Sequence, residues 1–587
     1  MSSPWPAPHA QSKERSEAFD LLIRNGTIVD GSGLPRVQAD IGVADGRIAE
    51  IGKLSGTAGE VIDAEGHVVA PGFIDAHTHM DAQVFWDPLG TCSCWHGVTS
   101  VMMGNCGFSL APCAEQNKHM VMRNLERAED ISPAAMEAGI KDWSWETFPE
   151  YLDAVEAVPK GINYGAYLGH SALRTYVMGE RAFEEAAGND DLAAMKRVLA
   201  DGLKAGAMGF STSRSTNHRT ADDKPVASRL ATWDEVKELV GIMGEKGAGI
   251  FELARENDNV GEEAIRDYFD RVTDLAVDTK VPVTFAGNDG RKRGDFWLNF
   301  YNCADEIHAR GGKALIQAHC RWACTLLSFE SKMPYDGAPL WAELRARPLA
   351  DQEAALRDPS MRAKLTAAAL QYAEGPETGI ASEVRSRVDY DWLFPLERTV
   401  PPYTSVAEIA REGGKAPIDV VIDMALAKHL KQFFMQPLFN EDWDVVLFMM
   451  RHPRTAVTFS DSGAHVSQIM DSSLQTHMLS YWVREMNEFT LEQAIRKMTY
   501  DIASFWGLHD RGLVRRGKAA DLVIFDPDTI APRMPTLEHD LPGGAPRLKQ
   551  KAHGILATLV AGQTLLKDNE HTGAYPGRLL RGPLASY

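Results

Sequence analysis

The sequence predicts an α/β protein: a (β/α)8 TIM-like barrel joined to a small β-sandwich domain built from both chain ends. Three observations predict it. Eight short apolar runs lie between residues 68 and 459, with helical stretches between several of them, the alternation that builds a closed parallel barrel. Short alternating runs punctuated by Gly and Asp occupy both ends of the chain, the pattern of small antiparallel sheets. The 587 residues, 44% hydrophobic and 24% charged, suffice for a barrel of about 250 residues or more plus a smaller unit.

In chain order, residues 1–18 are mostly polar, carry three prolines, and read as a flexible N-terminal arm. Residues 19–67 hold the first part of the small β-domain, with strands at Ile23–Val29, Asp40–Val43, Arg47–Ile51 and Val61–Asp63. Residues 511–587 hold the second part and a tail, with Ala520–Phe525 and Ile555–Val560 as hairpin arms. Residues 68–510 form the barrel. Its expected strands are Val68–Ile74, Thr99–Met103, Ile162–Leu168, Ala207–Phe210, Gly249–Leu253, Val281–Phe285, Ala314–Gln317 and Val457–Phe459. Helix-like stretches include Leu192–Lys204, Trp233–Lys246, Gly261–Val277 and Phe296–Arg310. The gap before the eighth strand exceeds what one helix needs, so an insertion at about 325–455 is expected as a lid or oligomer contact, and a homo-oligomer with it.

The net charge of −20 argues against a general affinity for nucleic acid, which rests on basic contacts to phosphate. Seven cysteines without a CxxC pair do not form a disulfide framework or a zinc ribbon. The first 18 residues lack the apolar core of a secretory signal, and no 18-residue apolar run suggests a membrane span. A reducing cytoplasm is the expected compartment.

Chemistry in a parallel barrel collects where the strands end. The first run leads into Asp75-Ala76-His77-Thr78-His79, the second into Gly104-Asn105-Cys106-Gly107, and the eighth into Ser460-Asp461-Ser462-Gly463-Ala464-His465. Residues two apart on a strand face one side, so His77 and His79 can share one divalent ion. Cys106 reads either as a thiolate ligand or as a buried structural cysteine. Asp461 reads either as a carboxylate that takes a proton from water or as a helix cap. His465 fits a supporting or structural role. Phe85, Trp86, Trp95, Trp322, Trp392 and Phe394 fit an apolar or aromatic substrate and fit packing equally well.

Six segments together resemble the amidohydrolase superfamily and, within it, a larger divergent branch of the N-acyl-D-amino-acid deacylase (D-aminoacylase) group. They are Asp20–Gly33 (DLLIRNGTIVDGSG), Val69–Asp81 (VAPGFIDAHTHMD), Trp95–Pro112 (WHGVTSVMMGNCGFSLAP), Gly206–Ser211 (GAMGFS), Thr458–His465 (TFSDSGAH) and Gly517–Phe525 (GKAADLVIF). The closing Thr572–Gly577 (TGAYPG) fits as well. The resemblance implies metal on the strand-one histidines and a ligand role for Cys106 where a carboxylated lysine often serves. It also implies Asp461 as general base. The fourth-strand segment AMGFSTSR accordingly has no lysine. The best-known members carry metal-binding histidines after strands five and six, whereas here those segments read GIFELARE and PVTFAGND. Glu252 can stand in for one of them, His319 can reach in from strand seven, or a single ion is held.

The expected activity is metal-dependent hydrolysis of an amide C–N bond in a small molecule, deacylating an N-acyl amino acid or related N-acyl compound. The expected cofactor is one or two divalent ions of the zinc type on His77, His79 and Asp461, with Cys106 beside them. His170, or a backbone N–H, is expected to steady the oxyanion, and Arg214 or Arg321 to hold a substrate carboxylate, each arginine reading equally well as a structural ion pair. Two alternatives stand beside this: a cyclic amide, carbamate or urea hydrolase on the same barrel, and a metal-free binding or assembly protein.

Overall fold

A computed structural model describes residues 19–256, 261–375 and 387–585; the expected N-terminal arm lies outside them. Both chain ends enter one nine-stranded sheet. Its order is Glu570–His571, Gln563–Lys567, Ile555–Val560, Leu522–Phe525, Val68–Pro71, Phe19–Ile28, Val37–Ala44 and Arg47–Gly52, with Ala58–Asp63 parallel on Phe19–Ile28. The seam between the two ends is antiparallel, with Val69 opposite Ile524. Period-two spacing puts Leu21 and Ile23, Ile41 and Val43, Leu522 and Ile524, and Ala557 and Leu559 into one core layer.

Val68–Ile74, read as one strand, divides at Gly72. Val68–Pro71 belongs to the small sheet and Phe73–Asp75 opens the barrel. A Cβ at Gly72 would lie 2.2 Å from the Thr99 side chain, so only glycine lets the chain pass between the two layers.

A strand stands at each of the eight expected barrel positions, the eighth shifted to end at Val457 instead of Phe459. The strands are Phe73–Asp75, Val98–Met103, Asn163–Ala166 continuing as Leu168–Gly169, Gly209–Ser213, Ile250–Ala254, Val283–Ala286, Ala314–Ala318 and Thr455–Val457. Every ladder between them is parallel. Strand three pairs back to strand two through one piece and forward to strand four through the other. Closure between strands one and eight comes from a parallel Thr78–Ser462 bridge and from the Ala76 amide, which donates to Thr458 Oγ1 at 2.7 Å. Nearly every residue of these strands is buried, as parallel strands covered on both faces must be. Beyond the small sheet, Leu579–Leu580 returns to the barrel and pairs in parallel with Tyr164 and Gly165.

Between strands seven and eight the chain builds a unit with its own core around Trp341, Leu365, Val421 and Phe434. An antiparallel sheet of Ala323–Leu327, Phe434–Phe439 and Phe394–Pro395 ties this unit to the barrel. The charged stretch Leu340–Ala373 is three helices, Pro339–Arg345, Leu349–Arg357 and Pro359–Ala373. Pro348 and Pro359 cannot donate in a helix interior and break it there; Asp358 then caps the third helix by accepting from the Met361 amide. Among the described residues no helix is long and apolar enough to cross a membrane.

Candidate active site

The site begins with a buried carboxylate. Asp75 accepts from the Thr458 hydroxyl at 2.9 Å and from the Phe459 and His77 amides at 3.3 Å. It thereby welds the end of strand one to the end of strand eight. The Asp461 amide donates to the His77 carbonyl and the His79 amide to the Ser462 carbonyl. Both imidazoles and the Asp461 carboxylate are thus brought to one point.

The spacing there is that of ligands around an ion. His77 Nε2 lies 3.3 Å and His79 Nε2 3.4 Å from Asp461 Oδ1, and Cys106 Sγ lies 3.5 Å from His77 Nε2. For metal–ligand bonds of about 2.0–2.3 Å, the edge of a tetrahedron is about 3.3–3.8 Å. Both ring nitrogens of buried His79 lack a hydrogen-bond partner, which is costly unless something else accepts their lone pair. His77 is oriented from behind. The Gln317 amide nitrogen donates to Thr284 Oγ1, so its oxygen faces His77 Nδ1 at 2.6 Å. Nδ1 must therefore carry the proton, leaving the Nε2 lone pair aimed at the shared point. The residues present fit a divalent cation. Both histidine side chains are 1% exposed while Asp461 is 25% exposed, so the point is open from the Asp461 side.

Cys106 sits in GNCG with φ +54°, between glycines that also take positive φ. At Gly104 a Cβ would stand 2.5 Å from the Tyr167 carbonyl. Glu252 Oε2 accepts the Cys106 amide at 2.7 Å, and Oε1 lies 3.9 Å from His77 Nδ1. Glu252 therefore braces two donors from outside rather than sharing their focus. Phe459, Asp461 and His465 also have positive φ, and strain of this kind concentrates at functional sites.

Two residues that the sequence reading missed join the cluster. Cys106, Glu129 and His218 each offer a ligand atom, all within 4.8 Å of one another. Glu129 Oε2 lies 3.4 Å from His79 Nε2 and 3.7 Å from His465 Nε2, and its other oxygen is buried without a hydrogen-bond partner. His218 is held through Nδ1 by Ser213 Oγ at 2.6 Å, which leaves Nε2 available.

The electrostatics favour a cation. Burial pushes Glu252 up to about 7. Burial, then the charges of Asp461, Glu252 and Asp81, hold Glu129 far above the usual carboxylate range. Burial opposes ionisation of Asp461 too, but His77 and His79 outweigh it and keep this carboxyl well below its ordinary value. Burial disfavours a charged His77, yet Asp461 raises its pKa, while burial prevails at His79 and lowers it. Crowded carboxylates in a dry site are stabilised by positive charge.

The cluster opens into a cavity of about 490 Å³ whose wall includes His77, Cys106, Glu129, His218, Glu252, Asp461 and His465. His170, Arg214, Arg321 and His319 do not line it. Each has found another partner. His170 faces Thr212 Oγ1 at 2.8 Å and Glu235 at 2.9 Å. Arg214 pairs with Glu256 at 2.5 Å, and Arg321 with Asp471 at 2.7 Å. His319 is turned to the Arg321 carbonyl at 2.8 Å and to Asp471 at 3.4 Å. The expected oxyanion, carboxylate and ligand roles of these four are not supported by this geometry. The aromatic residues also pack instead of lining the cavity. Trp322 contacts Trp392, Phe394, Tyr403 and Trp443, and Phe85 stacks on Trp145.

His170 instead belongs to a structural network with Glu235 and fully buried Arg174, whose Nη1 donates to both Glu235 oxygens. Burial opposes the Glu235 charge, but His170 and Arg174 hold its carboxyl down to about 2. The resulting stabilisation is present above the ordinary value of about 4.3 and is lost as pH falls from there towards about 2. Arg174→Met is expected to destabilise the fold by about 3 kcal/mol, because it breaks a buried ion pair and leaves Glu235 only His170 as a partner. Thermal unfolding read across that pH window checks this: the wild type should lose stability on acidification that the variant has already lost.

Comparison with known proteins converges on one family. The Amidohydrolase family model matches residues 60–566, and a urease alpha-subunit N-terminal domain model matches residues 7–70. The D-aminoacylase of Alcaligenes xylosoxydans xylosoxydans is 29% identical over 97% of this chain and 99% of its own length. The N-acyl-D-glutamate deacylase of the same organism is 30% identical over 88% of this chain and 89% of its own. The crystal structure of N-acyl-D-glutamate deacylase from Bordetella bronchiseptica, complexed with zinc and a phosphonate inhibitor, superposes with a TM-score of 0.64. It is 26% identical, covering 96% of this chain and all of that one. A D-aminoacylase with a binuclear metal centre gives the same TM-score, identity and coverage. A family match reaching from the fourth strand of the small sheet to its penultimate segment, and relatives aligned almost end to end, leave one assignment: the chain belongs to the Amidohydrolase family.

Proposed function

We propose that this protein is a metal-dependent hydrolase that deacylates N-acyl amino acids, with His77, His79, Cys106 and Asp461 holding a divalent cation of the zinc type. The observation that carries the reading is the set of three contacts of 3.3–3.5 Å among these four side chains, focused beside an open cavity. The relatives named for N-acyl-D-glutamate and N-acyl-D-aspartate deacylation supply the substrate class and favour the D-series. The donor set also disfavours an inert scaffold, which has no physical need of unpartnered buried imidazole nitrogens.

When bound, the cation supplies Lewis acidity to water and to the scissile carbonyl. Asp461 accepts a proton from the attacking water as its oxygen bonds to the carbonyl carbon. It then delivers that proton to the amide nitrogen as the C–N bond breaks, releasing a carboxylic acid and an amine. Gln317 fixes the His77 tautomer, and Glu252 fixes the Cys106 backbone. The buried site excludes bulk water from all but the Asp461 side, which strengthens each of these interactions. Seven cysteines, all unbonded to one another, favour a reducing compartment.

Cys106, Glu129 and His218 would hold a second cation. Glu129→Gln combined with His218→Asn is expected to lower bound zinc from two equivalents per chain to one, read by elemental analysis after loading in excess zinc. Two equivalents in the double variant would exclude these ligands. The function itself is tested with a panel of N-acyl-D- and N-acyl-L-amino acids on the zinc-loaded protein. Stoichiometric release of carboxylic acid and amino acid is the expected result, and no turnover of any member overturns the reading.

A further inference from the structure

The cavity has a second, oppositely charged wall. Arg255 follows the fifth barrel strand, three residues beyond Glu252, and Arg293 follows the sixth; both line the cavity with Lys292. Arg255 lies 4.7 Å over Phe296 and 5.6 Å from Phe300, and Arg293 lies 5.8 Å from the same Phe296 ring. Two guanidinium groups thus flank one aromatic side chain. Neither has a carboxylate partner among the described residues. The hydrogen bond of Arg255 goes to the Glu256 carbonyl at 2.9 Å.

Asp289 shares this wall, with burial raising its pKa; the other acidic groups nearby are engaged elsewhere. Glu256 is held by Arg214 and Arg271. Glu441 accepts the Arg291 amide and the Trp392 indole, and Arg291 itself pairs with Asp389. Asp471 belongs to Arg321. Burial, and then the neighbouring charge of Arg293, push the Arg255 pKa down to about 10, the mark of a desolvated cation facing a like charge. In a chain of net charge −20, a cationic pair with no carboxylate partner among the described residues, inside the cavity of the candidate site, is a binding feature rather than a fold requirement. Guanidinium groups pair with planar carboxylates through parallel N–H donors, and do so most strongly where water is excluded.

We propose that Arg255 and Arg293 form a carboxylate-binding subsite that seats the substrate while its amide lies at the cation centre. The identity of the bound group as a substrate carboxylate rests on the deacylase reading above; the anion site itself does not. Two carboxylates of an N-acyl amino acid carry the same chemistry, the α-carboxylate and an acidic side chain, and the test separates them.

The test uses zinc-loaded wild-type protein, Arg255→Met, Arg293→Met and the charge-retaining Arg255→Lys. Binding of glutarate by calorimetry reads the subsite without turnover. Each Met variant is expected to weaken it by about 10- to 100-fold, the size of a lost hydrogen bond to a charged group, and Arg255→Lys by less. Steady-state kinetics with N-acetyl-D-leucine, N-acetyl-D-glutamate and N-acetyl-D-leucinamide then read the substrate. A rise in KM for both acids but not for the amide assigns the α-carboxylate. A rise for the glutamate derivative alone assigns the side chain. Glutarate binding that is absent from the wild type, or unchanged in both Met variants, overturns the proposal. Glutarate binding lost in the variants, with no N-acyl amino acid turned over by the wild type, leaves the subsite standing and removes the deacylase reading.

Discussion

Replacing His77 and His79 together with alanine is expected to abolish tight metal binding at the primary position and to lower kcat/KM by on the order of 10⁴-fold or more. The estimate follows from what leaves with the ion. Polarising the carbonyl and acidifying water are each worth several kcal/mol in the transition state, and each ~1.4 kcal/mol is tenfold in rate. The substitution removes both histidines, which with Cys106 place donor atoms within 4.8 Å of one another and which contact Asp461 Oδ1, and the remaining pair, Cys106 and Asp461, cannot close a tetrahedral site. Elemental analysis and kinetics on the same preparation check it. Full metal content together with full turnover would mean that the imidazoles do something else. Fold loss is controlled by Gln317→Leu, which leaves both ligands in place. It is expected to lower metal affinity by about 10- to 100-fold through loss of the bond that fixes the His77 tautomer.

Asp461→Asn should separate proton transfer from assembly of the site. The amide keeps the size and one oxygen of the carboxylate, but it cannot take a proton from water. The expected effect is a fall in kcat of about 10²- to 10⁴-fold, with the unfolding temperature nearly unchanged and most of the metal retained. A substrate whose leaving amine is of low basicity should recover part of the loss, because it needs less help from a protonated acid. Wild-type kcat in Asp461→Asn, measured over several pH values, would transfer the general-base role to another group.

The barrel is legible in the sequence because each strand is buried on both faces and reads as a short unbroken apolar run. The small sheet is legible because its inner positions alternate. The boundary at Gly72 is not, since Val68–Ile74 is apolar on either side of it and only the approach of Thr99 requires the break. In the site, the convergence of His77, His79 and Asp461 is legible because each follows the end of a barrel strand, Phe73–Asp75 or Thr455–Val457, where barrel chemistry collects. Glu129 in RAED and His218 in STNHRT lie in loops, where no periodicity marks direction; they meet Cys106 only through tertiary packing. Arg214 and Arg321 looked available from their rim positions, but Glu256 and Asp471, distant in sequence, already hold them. Arg255 is the converse case: only the completed cavity reveals a cation with no carboxylate partner among the described residues.

The return of Leu579–Leu580 to the barrel wall and the seam of Val68–Pro71 with Leu522–Phe525 carry a cost during synthesis. At about 5–20 residues per second, a ribosome takes on the order of 20–90 seconds to travel from one side of that seam to the other. Throughout that interval the nascent first strands offer an unpaired edge to any neighbouring polypeptide. Slow, cool expression is therefore expected to raise the folded yield of this chain, read as the soluble fraction at two temperatures.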